Sequence, residues 1–241
     1  MKSSQPFGRL YLIPTTLGEV EPADVLPQSI MRTIGFIDHY IVENEKTARR
    51  FIKSVAPEKV QAELKISVLN KHTEISEHNQ MIAPCLQGIN IGLMSEAGCP
   101  GIADPGAAIV KLAHEKNIQV VPLVGPSSIL LAMMGSGMNG QSFAFNGYLP
   151  IDKSEKKSVL KTLERLSFEK KQSQIFIETP YRNNKMAEDL LQALQPSTLL
   201  CIAADLTLPT EFLVTRTIAE WKRSIPDLHN KPAIFIIHKQ A

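Results

Sequence analysis

The stretch Ser95-Glu96-Ala97-Gly98-Cys99-Pro100-Gly101-Ile102-Ala103-Asp104-Pro105-Gly106 packs three glycines, two prolines and two acids into twelve residues. Glycines let a backbone approach a ligand closely, and prolines hold a loop's shape. No Gly-Lys-Ser/Thr triplet follows and the charges of the loop are acidic, so it suits a neutral or cationic ligand better than a triphosphate. Pro14-Thr15-Thr16-Leu17-Gly18-Glu19 adds two hydroxyls and a glycine after a strand-stopping proline, without the GxGxxG dinucleotide fingerprint. Gly125-Pro126-Ser127-Ser128 opens a helix whose free amides would attract a carboxylate. Glu178-Thr179-Pro180-Tyr181-Arg182 gathers an acid, an aromatic ring and a guanidinium at one strand end. Plainer readings stand beside each: a turn, a Ser127 or Ser128 N-cap, a surface ion pair, and Asp104 capping a helix that begins at Pro105.

These loops need elements to position them. Arg9–Ile13, Tyr40–Glu43, Leu64–Leu69, Asn90–Ser95 and Gln119–Leu123 are short runs rich in Ile, Val and Leu with turn residues at their ends, as in strands buried on both faces. Thr47–Val55 repeats apolar residues at helical spacing through Ala48, Phe51, Ile52 and Val55, and Ala107–Lys116 does so through Ile109, Leu112 and Ala113. Strand and helix in alternation predict a parallel sheet with right-handed crossovers. In such sheets ligands bind beyond the carboxyl ends of the strands, where the four loops fall. After the turn-rich Ser136–Gly140 the pattern changes. Strands are expected at Phe143–Tyr148, Ser173–Glu178, Leu199–Ala204, Phe212–Thr217 and Ala233–His238, with helices at Lys153–Leu166, Asn183–Leu194 and Ala219–Arg223. This is an α/β chain of two domains, 1–130 with a parallel sheet and 131–241 with a mixed one, the boundary falling within 124–140.

Composition narrows the function. At 241 residues, 44% hydrophobic and 21% charged, the chain has the usage of a folded globular protein. A net charge of +2 neither announces nor excludes a nucleic-acid partner. No run approaches the roughly 18 to 20 apolar residues of a membrane span. Met1–Pro6 lacks the apolar core of a signal peptide, so a cytoplasmic setting without membrane attachment is expected. Cys85, Cys99 and Cys201 are odd in number and scattered, the six histidines form no HExxH, and His72 and His78 read as surface or hydrogen-bonded groups. No metal site is indicated.

Taken together, the loops resemble the tetrapyrrole methylase superfamily, and within it the branch that methylates a ribose 2′-hydroxyl of small-subunit ribosomal RNA. PTTLGE at 14–19 stands where that branch has a PTPIGN-like loop. SEAGCPGIADPG at 95–106 is similar to SDAGTPxxxDPG, and VGPSS at 124–128 to PGPxA. Gly147-Tyr148-Leu149-Pro150 resembles a GFLP segment, followed by Lys153, Lys156 and Lys157, and ETPYR at 178–182 resembles ESTHR. Departures occur at Glu43-Asn44-Glu45-Lys46 against EDTR, at Asn230-Lys231-Pro232 against a basic-Gly-Glu segment, and at Ala204-Asp205-Leu206 against a REL-like strand end.

The resemblance implies a two-domain tetrapyrrole-methylase-like fold, S-adenosylmethionine as methyl donor in the cleft between the domains, and a homodimer acting on ribosomal RNA or the small ribosomal subunit. It assigns Thr15, Thr16, Leu17, Gly98, Cys99, Ile102, Ser127, Ser128, Ala203 and Pro232 to the donor's surroundings. A ribose hydroxyl is a poor nucleophile while protonated, so a base would help. Glu43, Glu96 and Glu178, each at a predicted strand end, are the candidates; Arg182 and Lys46 could orient phosphate or alcohol. Arg49, Arg50, Lys53 and the lysines at 153, 156, 157 and 161 tilt the acceptor toward RNA. The alternatives are a tetrapyrrole or protein acceptor, or a donor-binding protein without catalysis.

Overall fold

The computed structural model describes residues 7–70 and 73–240. The readings on Met1–Pro6 and His72 lie outside the described residues. The chain divides into two compact units, Met1–Ser127 and Ser128–Ala241.

Unit 1 runs β1 (Leu10–Leu12), α1 (Pro22–Val25), α2 (Gln28–Phe36), β2 (His39–Val42), α3 (Glu45–Val55), β3 (Lys65–Val68), α4 (Ile75–Leu86), β4 (Ile91–Met94), α5 (Gly106–Glu115) and β5 (Val120–Pro122). Its strands form one parallel sheet in the order β3-β2-β4-β1-β5. Alternation along the central strands splits their side chains between two cores. Tyr11, Ile13, Tyr40, Val42 and Met94 pack with Ile30 and Ile34 of α2 and Ala48 and Ile52 of α3. Leu10, Ile41, Ile91 and Leu93 pack with Ile82 and Cys85 of α4 and Ile109 and Ala113 of α5. Helices on both faces are why these strands read as unbroken apolar runs. β3 and β5 depart from that expectation. They are the sheet edges, and none of their residues is fully buried.

The helices carry their own start signals. Asn44 caps α3, its Oδ1 accepting from the Lys46 and Thr47 amides. α4 opens with a Glu74/Glu77 capping box and carries Pro84 in its last turn. α5 begins one residue later than expected, because Asp104 spends its carboxylate on the Gly101 amide at 2.8 Å as well as the Gly106 amide at 2.6 Å.

Unit 2 runs α6 (Ser128–Ser136), β6 (Phe143–Tyr148), α7 (Lys153–Lys170), β7 (Ser173–Ile177), α8 (Asn183–Ala193), β8 (Leu199–Ala204), β9 (Phe212–Thr217), α9 (Ile218–Trp221) and β10 (Ala233–His238). The sheet is mixed, in the order β6-β7-β10-β8-β9, with β6 and β7 parallel and the other pairs antiparallel. One face carries Phe176, Leu200, Ile202 and Phe235 against Leu160 and Leu163 of α7, Met186 and Leu190 of α8 and Trp221 of α9. α6 packs on the other face, across β8, β9 and β10. Gly135 of α6 makes that contact possible, since a Cβ there would lie 2.4 Å from Leu213 Cδ1. With these directions the carboxyl ends of β6, β7 and β8 share one sheet edge with the start of β10.

Candidate active site

In unit 1 all strands point the same way, so the loops after β4, β1 and β5, three neighbours in the sheet, emerge side by side. They touch in every pairing. The Thr15 amide donates to the Gly98 carbonyl at 3.0 Å. The Cys99 thiol donates to the Pro126 carbonyl at 3.3 Å. A Cβ on Gly125 would fall 2.2 Å from Pro14 Cβ. Gly98 sits where the three meet. Its φ of +73° is open to glycine at little cost, and a Cβ there would press on Leu17 Cδ2 at 3.1 Å and the Pro126 carbonyl at 3.3 Å.

The fit of a polar organic ligand to these loops can be judged from what they leave unsatisfied. Thr15 is 4% exposed, and its Oγ1 has no hydrogen-bond partner. A buried hydroxyl without a partner costs stability unless something supplies one. Ile102, by contrast, stands 55% exposed on the 95–106 loop and offers an apolar surface. Burial raises the Cys99 thiol pKa, so Cys99 stays protonated and is a neighbour rather than a nucleophile. Thr16 and Leu17 are half-buried and line, with Thr15, a cavity of about 510 Å³ whose other wall is Thr47, Arg50, Phe51 and Ser54 of α3. Sequence reasoning missed that wall; its signal was the hydroxyl pair at Thr47 and Ser54, seven residues apart on one helix face.

Two of the three candidate acids come together here. β2 and β4 are neighbours, and the Glu43 Oε2 accepts the Glu96 amide at 2.8 Å. Both acids line a second cavity of about 680 Å³ with Asn44, Asn70 and Asp104. Burial raises the Glu43 pKa. The Glu96 amide opposes that, and the charges of Asp104 and Glu96 add to it. Burial also raises Asp104, against the amides of Gly106, Gly101 and Ile102. Asp104, which the sequence suggested only as a helix cap, thus also shapes the field around Glu43.

Glu178 and Arg182 lie in unit 2, at the shared edge of its sheet. Arg182 Nη2 donates to Glu178 Oε1 at 2.7 Å, and the same oxygen accepts the Thr179 amide at 2.7 Å. Burial alone would raise the Glu178 pKa. The Arg182 and Thr179 hydrogen bonds outweigh it, and the net shift is downward. A carboxylate held ionised in this way is a weak proton acceptor, which sets Glu178 apart from Glu43. Ala203 and Pro232 occupy the same edge. Ala203 is buried inside β8, paired with Ile234 and Leu213, and the Pro232 carbonyl accepts the Asp205 amide at 3.0 Å. Ser127 ends unit 1, and Ser128 is the first residue of α6.

The basic residues divide. Lys156, expected to meet phosphate, is 5% exposed, and its Nζ lies 3.0 Å from Asp189 Oδ2 on α8. It belongs to the α7 face that carries Leu160 and Leu163 into the core. Lys153, Lys157 and Lys161 are exposed. Arg49 is tied to Glu45 and the Gln61 carbonyl, and Arg50 pairs with Glu19 at 3.1 Å. Among the described residues no group of three or more His, Cys, Asp or Glu could hold a metal ion, and no helix is long and apolar enough to cross a membrane.

Comparison with known proteins bears on this arrangement. The chain is 28% identical over 211 residues to the ribosomal RNA small subunit methyltransferase I of Vibrio cholerae, covering 88% of this chain and 69% of that one. It is 30% identical over 213 residues to the protein of the same name in Bacillus subtilis, covering 88% and 68%. Among solved structures, the methyltransferase CobJ superposes with a TM-score of 0.65 at 14% identity, covering 96% of this chain and 94% of that one. The uroporphyrin-III C-methyltransferase of Thermus thermophilus, complexed with S-adenyl homocysteine, superposes with a TM-score of 0.55 at 16% identity, covering 96% and 98%. These two likenesses concern the fold. The family model for tetrapyrrole (corrin/porphyrin) methylases matches residues 22–222, most of both units, and the chain belongs to that family.

Proposed function

We propose that this methyltransferase moves the methyl group of S-adenosylmethionine onto a ribose 2′-hydroxyl of small-subunit ribosomal RNA. The observation that carries the donor assignment is the three-way contact of the 14–19, 95–106 and 124–128 loops around Gly98, with the partnerless Thr15 hydroxyl among them. The names of the relatives in Vibrio cholerae and Bacillus subtilis carry the acceptor assignment.

Thr15, Thr16, Leu17, Gly98, Cys99, Ile102 and Ser127 of unit 1 are the residues we assign to the donor, whose sulfonium supplies an already activated methyl group. The reaction then asks little of the protein beyond alignment and a place for one proton. Holding the ribose oxygen in line with the methyl carbon turns a bimolecular encounter into positioning. As the oxygen–carbon bond forms and the carbon–sulfur bond breaks, the hydroxyl proton passes to a base. Glu43 is the acid suited to that role: its carboxylate is oriented by the Glu96 amide, and its pKa is raised toward the range where a carboxylate accepts a proton well. Glu96 and Arg182 are then substrate-orienting groups, and Glu178 positions Arg182. The resemblance further supports a cytoplasmic homodimer, and sedimentation of the purified chain tests the dimer.

The deciding experiment is incubation with isotopically labelled methyl donor and small ribosomal subunits from cells lacking the endogenous enzyme, followed by mass spectrometry of nucleosides. A 2′-O-methyl nucleoside is the expected product. Label on a porphyrinoid or on protein, with none on RNA, would overturn the acceptor assignment and leave the donor assignment standing.

A further inference from the structure

Unit 2 exposes two aromatic rings at the same sheet edge. Tyr148 closes β6 and Tyr181 lies just beyond β7. The strands are parallel neighbours, with Tyr148 in register with Ile177, four residues before Tyr181. Tyr148 is 58% exposed and Tyr181 63% exposed. The Arg182 guanidinium lies over the Tyr181 ring, 5.2 Å from its centre.

The setting is rigid. Tyr181 sits in the single turn Pro180–Arg182, whose first residue has its φ fixed by the proline ring. Asn183 is fully buried and donates to the Lys231 carbonyl at 2.6 Å, and the Asn230 amide donates to the Pro180 carbonyl at 3.2 Å. Arg182 is held by Glu178, whose own side chain is almost wholly buried and whose Oε2 has no partner; Arg182 Nε has none either. The fold thus buries a carboxylate to hold a guanidinium over an exposed ring. Five residues after Tyr148, α7 begins with Lys153 and Lys157 exposed and without an ion pair among the described residues.

We propose that Tyr148, Tyr181 and Arg182 form a stacking platform for unpaired nucleobases of the acceptor RNA, with Lys153 and Lys157 following its phosphates. Sequence-specific RNA recognition works on unstacked bases laid on aromatic rings and guanidinium planes, with a basic track for the backbone. Tyrosine suits the task because it has only two side-chain torsions to immobilise. The assignment rests on the RNA acceptor proposed above and gives that acceptor a binding surface on unit 2.

The test measures RNA KM and kcat with small ribosomal subunits, and S-adenosylhomocysteine affinity by calorimetry, on full-length Tyr148→Ala, Tyr181→Ala, Tyr181→Leu and Tyr181→Phe. The Ala variants should raise RNA KM by about 5- to 150-fold each, the size of one lost base stack. Tyr181→Leu should behave like Ala, since it keeps bulk and loses the ring, and Tyr181→Phe should behave like wild type. S-adenosylhomocysteine affinity and melting temperature should not move. Unchanged KM in the Ala variants of an enzyme that methylates RNA would overturn the platform and leave the function intact. Loss in Tyr181→Phe equal to that in Ala would make the hydroxyl, not the ring, the recognition element and overturn stacking. A wild-type enzyme that methylates no RNA removes the platform's ligand and the acceptor proposal together.

Discussion

Glu43 and Glu96, 53 residues apart, are joined by a 2.8 Å hydrogen bond from the Glu96 amide to Glu43 Oε2 at the carboxyl ends of β2 and β4. The bond fixes where the Glu43 carboxylate points while burial and two neighbouring acids make its charge unwelcome. An acid in that position is destabilising when ionised and useful as a base for the same reason.

Glu43 should therefore set the acid limb of the pH–rate profile. A base works when deprotonated, so kcat/KM should rise with pH through a pKa above the ordinary glutamate value of 4.5. Glu43→Gln should lower kcat by about 100-fold or more and erase that limb. Stability should move the other way. With the folded pKa raised, the group's contribution is complete below the unfolded pKa and is lost as pH rises through the folded one. At neutral pH Glu43→Gln, which can still accept the Glu96 amide, should melt at the same temperature or higher. Near-wild-type kcat with the limb intact would remove Glu43 from catalysis.

Thr15 offers a test of the donor site with the same opposition of stability and function. Its buried Oγ1 lacks a partner. Thr15→Val keeps the branched shape and removes the unsatisfied hydroxyl, which should stabilise the apoprotein by about 1 kcal/mol. The affinity for S-adenosylhomocysteine, measured by calorimetry, should fall by about 5- to 10-fold through the lost hydrogen bond. A destabilised variant with unchanged affinity would show that the hydroxyl serves the fold.

At Gly98 the backbone and the space can be separated. Gly98→Ala meets both a φ of +73° and contacts at 3.1 and 3.3 Å, whereas Gly137→Ala meets a φ of +69° with nothing within 4 Å. Each should lose about 1–2 kcal/mol to left-handed strain. Only Gly98→Ala should weaken donor binding, by tenfold or more, because it alone pushes Leu17 and the 124–128 loop. Equal donor affinity in the two variants would mean that the three-loop junction is not the site.

What could be read from the chain follows the range of the signals. Loop composition is local, so the turns at 14–19, 95–106 and 124–128, with their glycines, prolines and hydroxyl residues, stood out before any fold was known. The parallel first sheet and mixed second sheet followed from strand–helix alternation and its breakdown after Gly140. Strand order is not local. Nothing in residues 39–43 says that β2 will lie beside β4 rather than β1, and the Glu43–Glu96 contact depends on it. The edge positions of β3 and β5 were hidden for the same reason, since Val, Ile and Leu serve edge and centre alike. Asp104 looked like a cap because capping is visible in three residues, while its effect on Glu43 runs across two crossovers.

Lys156 shows how a local cue was available and outweighed. The Lys-rich start of α7 reads as a basic face, yet Lys156 lies four and seven residues before Leu160 and Leu163, on the stripe that faces the core. Its partner Asp189 is on α8, 33 residues away, and both side chains are less than a tenth exposed. Asp189 also lies 3.3 Å from the more exposed Lys185. The lysines of α7 should therefore separate by assay. Lys153→Ala with Lys157→Ala should flatten the dependence of log RNA affinity on log salt by up to about two phosphates' worth and leave the melting curve alone. Lys156→Ala should leave that slope alone and cost about 3 kcal/mol of stability, because it strands a buried carboxylate that Lys185 only partly compensates. Lys156→Met combined with Asp189→Leu should recover most of that loss, since replacing both ions by apolar groups of similar volume removes the desolvation cost with the attraction. A salt slope that drops for Lys156→Ala as much as for Lys153→Ala would mean that the ion pair opens to meet RNA, and the core assignment of Lys156 would fall.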